Sequence, residues 1–195
     1  MSLVPAFELG LWNGWIFKLL GILVVAVTGS LSNREAMEKF GEKLTVPHSK
    51  TEEISERLIS LLSLPFILYS FFLPVKLGTS WFYTGLPICL LALVIGFSSV
   101  VSFSNTPLDR LVTSGTYRIS RNPICLAGFL LDLGIGLACA SWVFIVYAIV
   151  DLILMNTMLK AEERFLLGKY GDAYREYMSM TPKWIGIPKS RKVNS

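Results

Sequence analysis

Long hydrophobic runs alternate with short polar segments along this chain of 195 residues. Five of the runs are close to the roughly 20 residues that an α-helix needs to cross the hydrocarbon core of a membrane. They cover residues 9–31, 58–75, 81–103, 123–140 and 142–159. The pattern predicts an all-α bundle of five transmembrane helices. Because little more than Ser141 separates the last two runs, these are predicted to form a tight helical hairpin.

The polar segments contain signals for helix starts. Ser49 and Glu52 have the spacing of a capping box at the start of the second predicted helix. After the hairpin, apolar and aromatic residues recur every three or four positions over 160–178. This periodicity predicts a C-terminal helix that packs back on the bundle or lies at the membrane interface. Since no linker divides the chain, residues 1–195 are predicted to form a single membrane domain.

Composition and charge also indicate a membrane protein, and the distribution of charge predicts its orientation. Hydrophobic residues make up 53% of the chain, and the mean hydropathy is +0.57. All of the 18 Lys and Arg except Lys18 and Lys76 fall in segments on one side of the predicted bundle. Because Lys and Arg concentrate in cytoplasmic loops, the amino terminus is predicted outside and the carboxyl terminus in the cytoplasm. The basic rim favours anionic membrane lipids, and no nucleic-acid partner is expected.

Metal chemistry is not expected from this sequence. His48 is the single histidine, and Cys89, Cys125 and Cys139 show no paired spacing. We therefore predict neither a metal site nor a disulfide framework.

Lys18, Asp132 and Asp151 lie inside predicted spans, each about nine residues from the start. This spacing predicts that all three lie near the middle of the bilayer, where an unpaired charge costs at least about 2.5–3.5 kcal/mol. We expect Lys18 to pair with Asp132 or Asp151. The nearby Gly134 and Gly136 resemble a nucleotide-binding turn but lie in mid-helix, so they are predicted to permit close helix packing.

Candidate chemistry lies on both sides of the hairpin. The run at 111–117 leads to Arg121-Asn122-Pro123, where a proline in the first helical turn leaves free backbone amides that suit an anionic group. Glu162 and Glu163 return to the same end of the bundle, and Tyr170-Gly171-Asp172-Ala173-Tyr174 follows. This arrangement suits a zwitterionic ligand. The alternative is that the two glutamates only balance neighbouring basic residues.

In this order, the residues resemble the isoprenylcysteine carboxyl methyltransferase family and its relatives among phospholipid methyltransferases. That family has a Leu-Val-Thr-x-Gly-x-Tyr stretch before Arg-His-Pro, and a Glu-Glu pair before Gly-x-x-Tyr. The likeness covers about 75 residues. It implies a membrane enzyme that binds S-adenosylmethionine with its last helices, here at about 105–188.

The resemblance also implies individual site residues. The cofactor pocket would be lined by Leu111, Val112, Tyr117, Asn122, Pro123, and Glu162 or Glu163, and the catalytic candidates are Arg121, Glu162 and Glu163. The Tyr ring would stack on adenine, and a Glu would accept from the methionyl ammonium.

Four positions depart from the family pattern. Asp109 and Asn122 stand where the family has His, and Cys125 replaces a Tyr. Met158 replaces an Arg that is expected to bind the substrate carboxylate, and no Lys or Arg of the same helix takes its place. The resemblance therefore defines the cofactor more firmly than the acceptor.

The function implied is methyl transfer to a lipophilic acceptor that enters from the bilayer, first the C-terminal carboxylate of a prenylated cysteine. A phospholipid amine or another isoprenoid is the alternative acceptor, and the Met158 replacement makes it plausible. A sterol-type reductase that uses NADPH has a similar Tyr, Arg and Pro pattern. A non-enzymatic membrane scaffold is the remaining alternative.

Overall fold

The computed structural model describes residues 7–30, 38, 41, 42 and 46–186, which contain six α-helices and one short 3-10 helix. The α-helices are α1 (Trp15–Ser30), α2 (Lys50–Ser70), α3 (Ser80–Ser104), α4 (Pro123–Ala138), α5 (Trp142–Tyr170) and α6 (Asp172–Met180). The 3-10 helix (Gly115–Arg118) lies between α3 and α4. Over these ranges there is no β-strand. The predicted all-α fold is confirmed.

Fewer helices have membrane-spanning length than the sequence predicted. Among the described helices, α3 and α5 are long and apolar enough to cross a bilayer. The apolar helices α1 and α4 have 16 residues each, about 24 Å at 1.5 Å per residue against a core of about 30 Å. The 21-residue α2 begins with a polar turn. The predicted count of five spans is therefore not confirmed.

The outer surfaces of these helices fit a membrane environment. Large apolar side chains are exposed along α1, α3 and α5, among them Val25, Val94 and Ile153. Exposed apolar area on this scale indicates contact with lipid or another apolar partner. The protein is accordingly a membrane protein of apolar helices.

The first helix begins later than predicted because the residues before it bond to the connection between α2 and α3. The Gly14 N–H donates to the Leu73 carbonyl at 2.9 Å, and the Asn13 side-chain amide donates to the Phe71 carbonyl at 2.6 Å. These bonds take the place of a first helical turn. Lys18 therefore lies in the first turn of α1, and not about nine residues into a helix as predicted.

The predicted pairing of Lys18 is resolved in favour of Asp132. Its ammonium forms an ion pair with the Asp132 carboxylate of α4, and both side chains are largely buried. The same ammonium lies 5.7 Å from the ring centre of Phe144 and 5.9 Å from that of Tyr147. Aromatic faces attract cations, so α5 also stabilises the charge.

The predicted hairpin is formed by α4 and α5, which residues 139–141 connect. The Ser141 hydroxyl accepts from the Phe144 N–H at 3.3 Å and caps α5. This helix does not end with the predicted span but continues to Gly171, which has a φ of +53°. A left-handed φ favours glycine. The predicted helix at 160–178 is thus divided between the end of α5 and α6.

Glycines allow α3 and α4 to pack closely. A Cβ atom on Gly85 would lie 2.3 Å from the Ala138 nitrogen, and one on Gly134 would lie 2.6 Å from the Cys89 sulfur. A Cβ on Gly136 would likewise lie 2.7 Å from a side-chain carbon of α5. The interpretation of the mid-helix glycines as packing positions is confirmed.

Gly134→Ala is expected to destabilise the bundle, because the Cys89 nitrogen would lie 2.9 Å from the new Cβ atom and belongs to the backbone. Overpacking of this kind typically costs about 1–3 kcal/mol. Thermal unfolding in detergent measures the effect. Gly168→Ala is the control, since nothing lies within 4 Å of its Cβ position. Equal stability of Gly134→Ala and wild type would contradict the packing argument.

The single variants Lys18→Asp and Asp132→Lys are expected to lower the yield of folded protein. Each leaves an uncompensated buried charge, which costs about 3–5 kcal/mol. The double variant with exchanged charges restores the pair and should recover much of the yield, measured as monodisperse protein after detergent extraction. If the yield of the double variant is no higher than that of either single variant, the result would argue against this ion pair.

Candidate functional site

A cleft opens at the end of the bundle where α3 ends and α4 begins. Its volume is about 360 Å³, a figure that includes space open to solvent. Its walls come from α3, the connection between α3 and α4, α5 and α6. The lining residues are Phe103, Leu111, Val112, Tyr117, Arg121, Glu162, Leu166, Tyr170, Tyr174 and Tyr177.

The cleft brings together predicted site residues from both sides of the hairpin. Leu111, Val112 and Tyr117 line it from the connection before α4, and Arg121 follows them. Glu162 lines the opposite wall from α5. Residues that are far apart in sequence therefore face a common space.

Three predicted site residues lie outside the cleft lining. The Asn122 side-chain amide donates to the Lys183 carbonyl at 3.1 Å, and Pro123 is buried in the first turn of α4. Glu163 contacts the guanidinium of Arg121, with Nη2 and Oε1 3.0 Å apart. These three residues support the cleft wall.

Arg121 connects the start of α4 to two other elements. Besides Glu163 on α5, its Nη1 donates to the Met178 carbonyl of α6 at 3.1 Å. Its Nε is buried and has no hydrogen-bond partner among the described residues. A buried donor without a partner is uncommon, and a guanidinium donor suits an anionic group. Arg121 therefore offers one donor at the cleft wall.

Local contacts with α3 determine the position of Tyr117. Gly115 has a φ of +58°, and a Cβ atom there would lie 2.2 Å from the Ser102 hydroxyl. The hydroxyls of Ser99 and Thr116 lie 2.8 Å apart and hydrogen-bond. The 3-10 helix thus packs directly on α3, and its Tyr117 ring is buried at the base of the cleft.

Tyrosines close the cleft from α5 and α6. The Tyr177 hydroxyl donates to the Tyr117 carbonyl at 2.6 Å, and the Tyr170 hydroxyl donates to the Arg110 carbonyl at 3.3 Å. Burial, with the nearby Glu162 carboxylate, raises the pKa of the Tyr117 phenol. This phenol therefore stays protonated near neutral pH and can act as a hydrogen-bond donor.

These tyrosines were not predicted from the sequence to be site residues. The three- and four-residue spacing of Leu166, Tyr170, Tyr174 and Tyr177 predicted one helix face against the bundle or the interface. It could not show that this face closes a ligand cleft, because that depends on the change of direction at Gly171.

A second ion pair positions the part of α5 that carries the two glutamates. Arg164 donates from Nη1 and Nη2 to the two Glu52 oxygens at 2.5 and 2.7 Å. The Ser49 N–H donates to the same carboxylate at 2.8 Å, which confirms the predicted capping box. The hydrogen bonds from Arg164 lower the pKa of Glu52 from 4.5 to about 2, although burial opposes the shift.

The arrangement can bind a ligand that carries three kinds of group. Aromatic faces of the cleft can stack on a flat ring, and the Glu162 carboxylate can accept from a cationic group. The Nε of Arg121 can donate to an anionic group.

The comparison with known families agrees with this geometry. A model for the phospholipid methyltransferase family matches residues 82–173. The matched range includes nearly all of α3, the whole hairpin and much of the cleft. Residues 82–173 are therefore similar to phospholipid methyltransferases, and this range is called the matched domain. Methyltransferases of this family generally use S-adenosylmethionine. A search of curated proteins found no match.

The matched domain does not contain every residue that supports the cleft. Tyr174 and Tyr177 lie just beyond it, and Glu52 precedes it by 30 residues. Lys183, whose carbonyl accepts from Asn122, also lies outside. Contacts from both flanking segments therefore complete the site of the domain.

Glu52→Gln is expected to lower thermal stability at neutral pH, because the charge-assisted bonds to Arg164 are lost. The depressed pKa of Glu52 contributes stability that is present above about pH 4.5 and is lost as the pH falls towards about 2. The difference in Tm between wild type and variant should therefore shrink from pH 6 to pH 3. Glu53→Gln, with its exposed partner Arg57, is the control. A difference independent of pH would contradict this role of the ion pair.

Proposed function

We propose that this protein transfers the methyl group of S-adenosylmethionine to a lipophilic acceptor within the membrane. The observation that most supports the proposal is that Tyr117, Arg121 and Glu162 line one cleft of the matched domain. The family match favours methyl transfer over the NADPH-dependent reductase and the scaffold.

The residues of the cleft fit this cofactor. When bound, S-adenosylmethionine supplies an electrophilic methyl group on a sulfonium. We assign Tyr117 to stacking on the adenine ring and Glu162 to the methionyl ammonium. The unpartnered Nε of Arg121 is a donor for the methionyl carboxylate. Leu111 and Val112 provide apolar contacts that exclude water.

The first candidate acceptor is the carboxylate of a prenylated cysteine. A carboxylate is already a nucleophile, so the protein needs mainly to align it with the methyl group and to shield both from water. The exposed apolar surfaces of α3 and α5 suit an acceptor that enters from the bilayer.

A phospholipid amine is the second candidate acceptor, and the description of the matched family favours it. Methylation of an amine forms a carbon–nitrogen bond, breaks the carbon–sulfur bond and releases a proton from nitrogen. A carboxylate at the cleft would take that proton, and Glu162, which lines the cleft, is the candidate.

The orientation of the cleft is part of the proposal. Arg110, Arg118 and Lys160 lie at the end of the bundle that carries the cleft, whereas the Lys76 N–H bonds to the last residue of α4 at the opposite end. By the distribution of positive charge, we assign the cleft to the cytoplasmic side. The soluble cofactor would then enter from the cytoplasm.

Glu162→Gln is expected to weaken binding of S-adenosylhomocysteine, the demethylated cofactor. A hydrogen bond to a charged group contributes about 1.5–3 kcal/mol, which corresponds to about tenfold or more in Kd. Thermal stabilisation of the detergent-purified protein by the ligand gives the measurement. Glu53→Gln is the control, because its exposed carboxylate lies on α2.

Two results would contradict the proposal in different ways. No stabilisation of wild type by S-adenosylhomocysteine would exclude this cofactor, and stabilisation by NADPH alone would favour the reductase. Stabilisation of Glu162→Gln equal to that of wild type would leave the cofactor in place but would remove the proposed ammonium contact.

A further inference from the structure

Lys183 is a cation from outside the matched domain that points back onto α5. It belongs to the C-terminal segment, residues 181–186, which follows α6. Its ammonium donates to the Asn156 carbonyl at 3.2 Å and lies 3.9 Å from Oε2 of Glu163. The side chain is only 21% exposed. Lys183 thus lies along the helix that carries both glutamates.

The backbone of the C-terminal segment is firmly attached at this point. The Lys183 carbonyl accepts from the Ser120 hydroxyl at 3.3 Å and from the Asn122 amide at 3.1 Å. The Gly186 N–H donates to the Ile119 carbonyl at 3.2 Å. Because this segment is fixed on both sides of the lysine, the position of the ammonium is defined.

Positive charge exceeds negative charge around Glu163. Its Oε1 already accepts from Arg121 at 3.0 Å, and the distance of 3.9 Å to the Lys183 ammonium exceeds hydrogen-bond length. Burial lowers the pKa of Lys183; the Glu163 carboxylate opposes this shift, and the nearby Arg121 acts in the same direction as burial. A partly buried ammonium has three donors, and among the described residues only the Asn156 carbonyl accepts from it.

We infer that Lys183 binds the anionic group of the lipid acceptor, a phosphate or a carboxylate, beside Glu163 and outside the lining of the cofactor cleft. The inference rests on the proposed function and assigns an acceptor class to that site. Arg121 connects this position to the cleft, since it contacts Glu163 and also lines the cleft wall. An acceptor anion at Lys183 would therefore lie next to bound cofactor.

Recognition of the anion can be separated from recognition of the lipid chain. N-acetyl-S-farnesylcysteine carries a carboxylate, and its methyl ester does not. Phosphatidylethanolamine carries a phosphate, and a diacylglycerol with the same acyl chains does not. Equilibrium binding of each lipid is measured in detergent with saturating S-adenosylhomocysteine. The pair in which the charged member binds more tightly identifies the source of the anion.

Wild type is expected to bind the charged member of one pair about tenfold more tightly, as for a hydrogen bond to a charged group. Lys183→Met should reduce this preference to about twofold or less, whereas Lys183→Arg should retain it because the charge remains. Lys160→Met is the matched control, because Lys160 is an exposed lysine of α5 that lies four residues after Asn156. Binding of S-adenosylhomocysteine should be the same in all four proteins.

Separate results overturn the inference and the proposed function. Equal binding within both lipid pairs by wild type, or an unchanged preference in Lys183→Met, would overturn the assignment of Lys183. Loss of S-adenosylhomocysteine binding in both Lys183 variants would show a purely structural role and would also overturn it. The proposed function fails independently if wild type transfers no methyl group from S-adenosylmethionine to either charged lipid.

Discussion

The ion pair between Arg121 and Glu163 is the interaction on which the cleft depends. Arg121 lies two residues before α4, and its guanidinium contacts Glu163 of α5 and the Met178 carbonyl of α6. A planar guanidinium with donors in fixed directions can satisfy two elements at once. Both paired side chains are largely buried, so neither charge can be rehydrated without moving an element. The relative position of Tyr117 and Glu162 across the cleft follows from this contact.

Different kinds of polar contact stabilise the two ends of the bundle. At the end away from the cleft, backbone groups between helices bond to one another or to Asn13, and Lys18 pairs with Asp132 one turn into α1. Backbone groups near hydrocarbon need internal partners, and this end provides them. The cleft end instead contains ion pairs such as that of Glu52 and Arg164. The side chain of Arg164 is 54% exposed, so water or lipid headgroups can reach this pair from one side.

The sequence predicted features that depend on local pattern. The capping box at Ser49 is local, and so is the tight hairpin whose second helix Ser141 caps. The predicted pairing of Lys18 was correct in kind because a buried charge requires a partner. Its predicted position in the helix was wrong, since hydrogen bonds between the segment before α1 and the connection after α2 cannot be deduced from hydropathy.

The candidate site was predictable in part for the same reason. Motif spacing placed Leu111, Tyr117 and Glu162 at one end of the bundle, and the cleft brings these three together. It did not predict that Asn122 turns away to the Lys183 carbonyl. That contact depends on the path of the chain after α6, which no local pattern encodes.

The path of the chain after α6 also brings a cation from another segment to α5. Met158 stands where the family that the sequence resembles has a basic residue, and the predicted span at 142–159 contains no Lys or Arg to take its place. A cation need only lie near in space, and Lys183 reaches the Asn156 carbonyl, two residues before Met158, from a different segment. Glu163 then lies near a cation at each of its two oxygens: Arg121, which lines the cofactor cleft, is close to Oε1, and Lys183 is close to Oε2. Because Arg121 and Lys183 share the Glu163 carboxylate, binding of the cofactor and binding of the acceptor would be electrostatically coupled. An anion bound to one of the two cations would strengthen the interaction of Glu163 with the other cation.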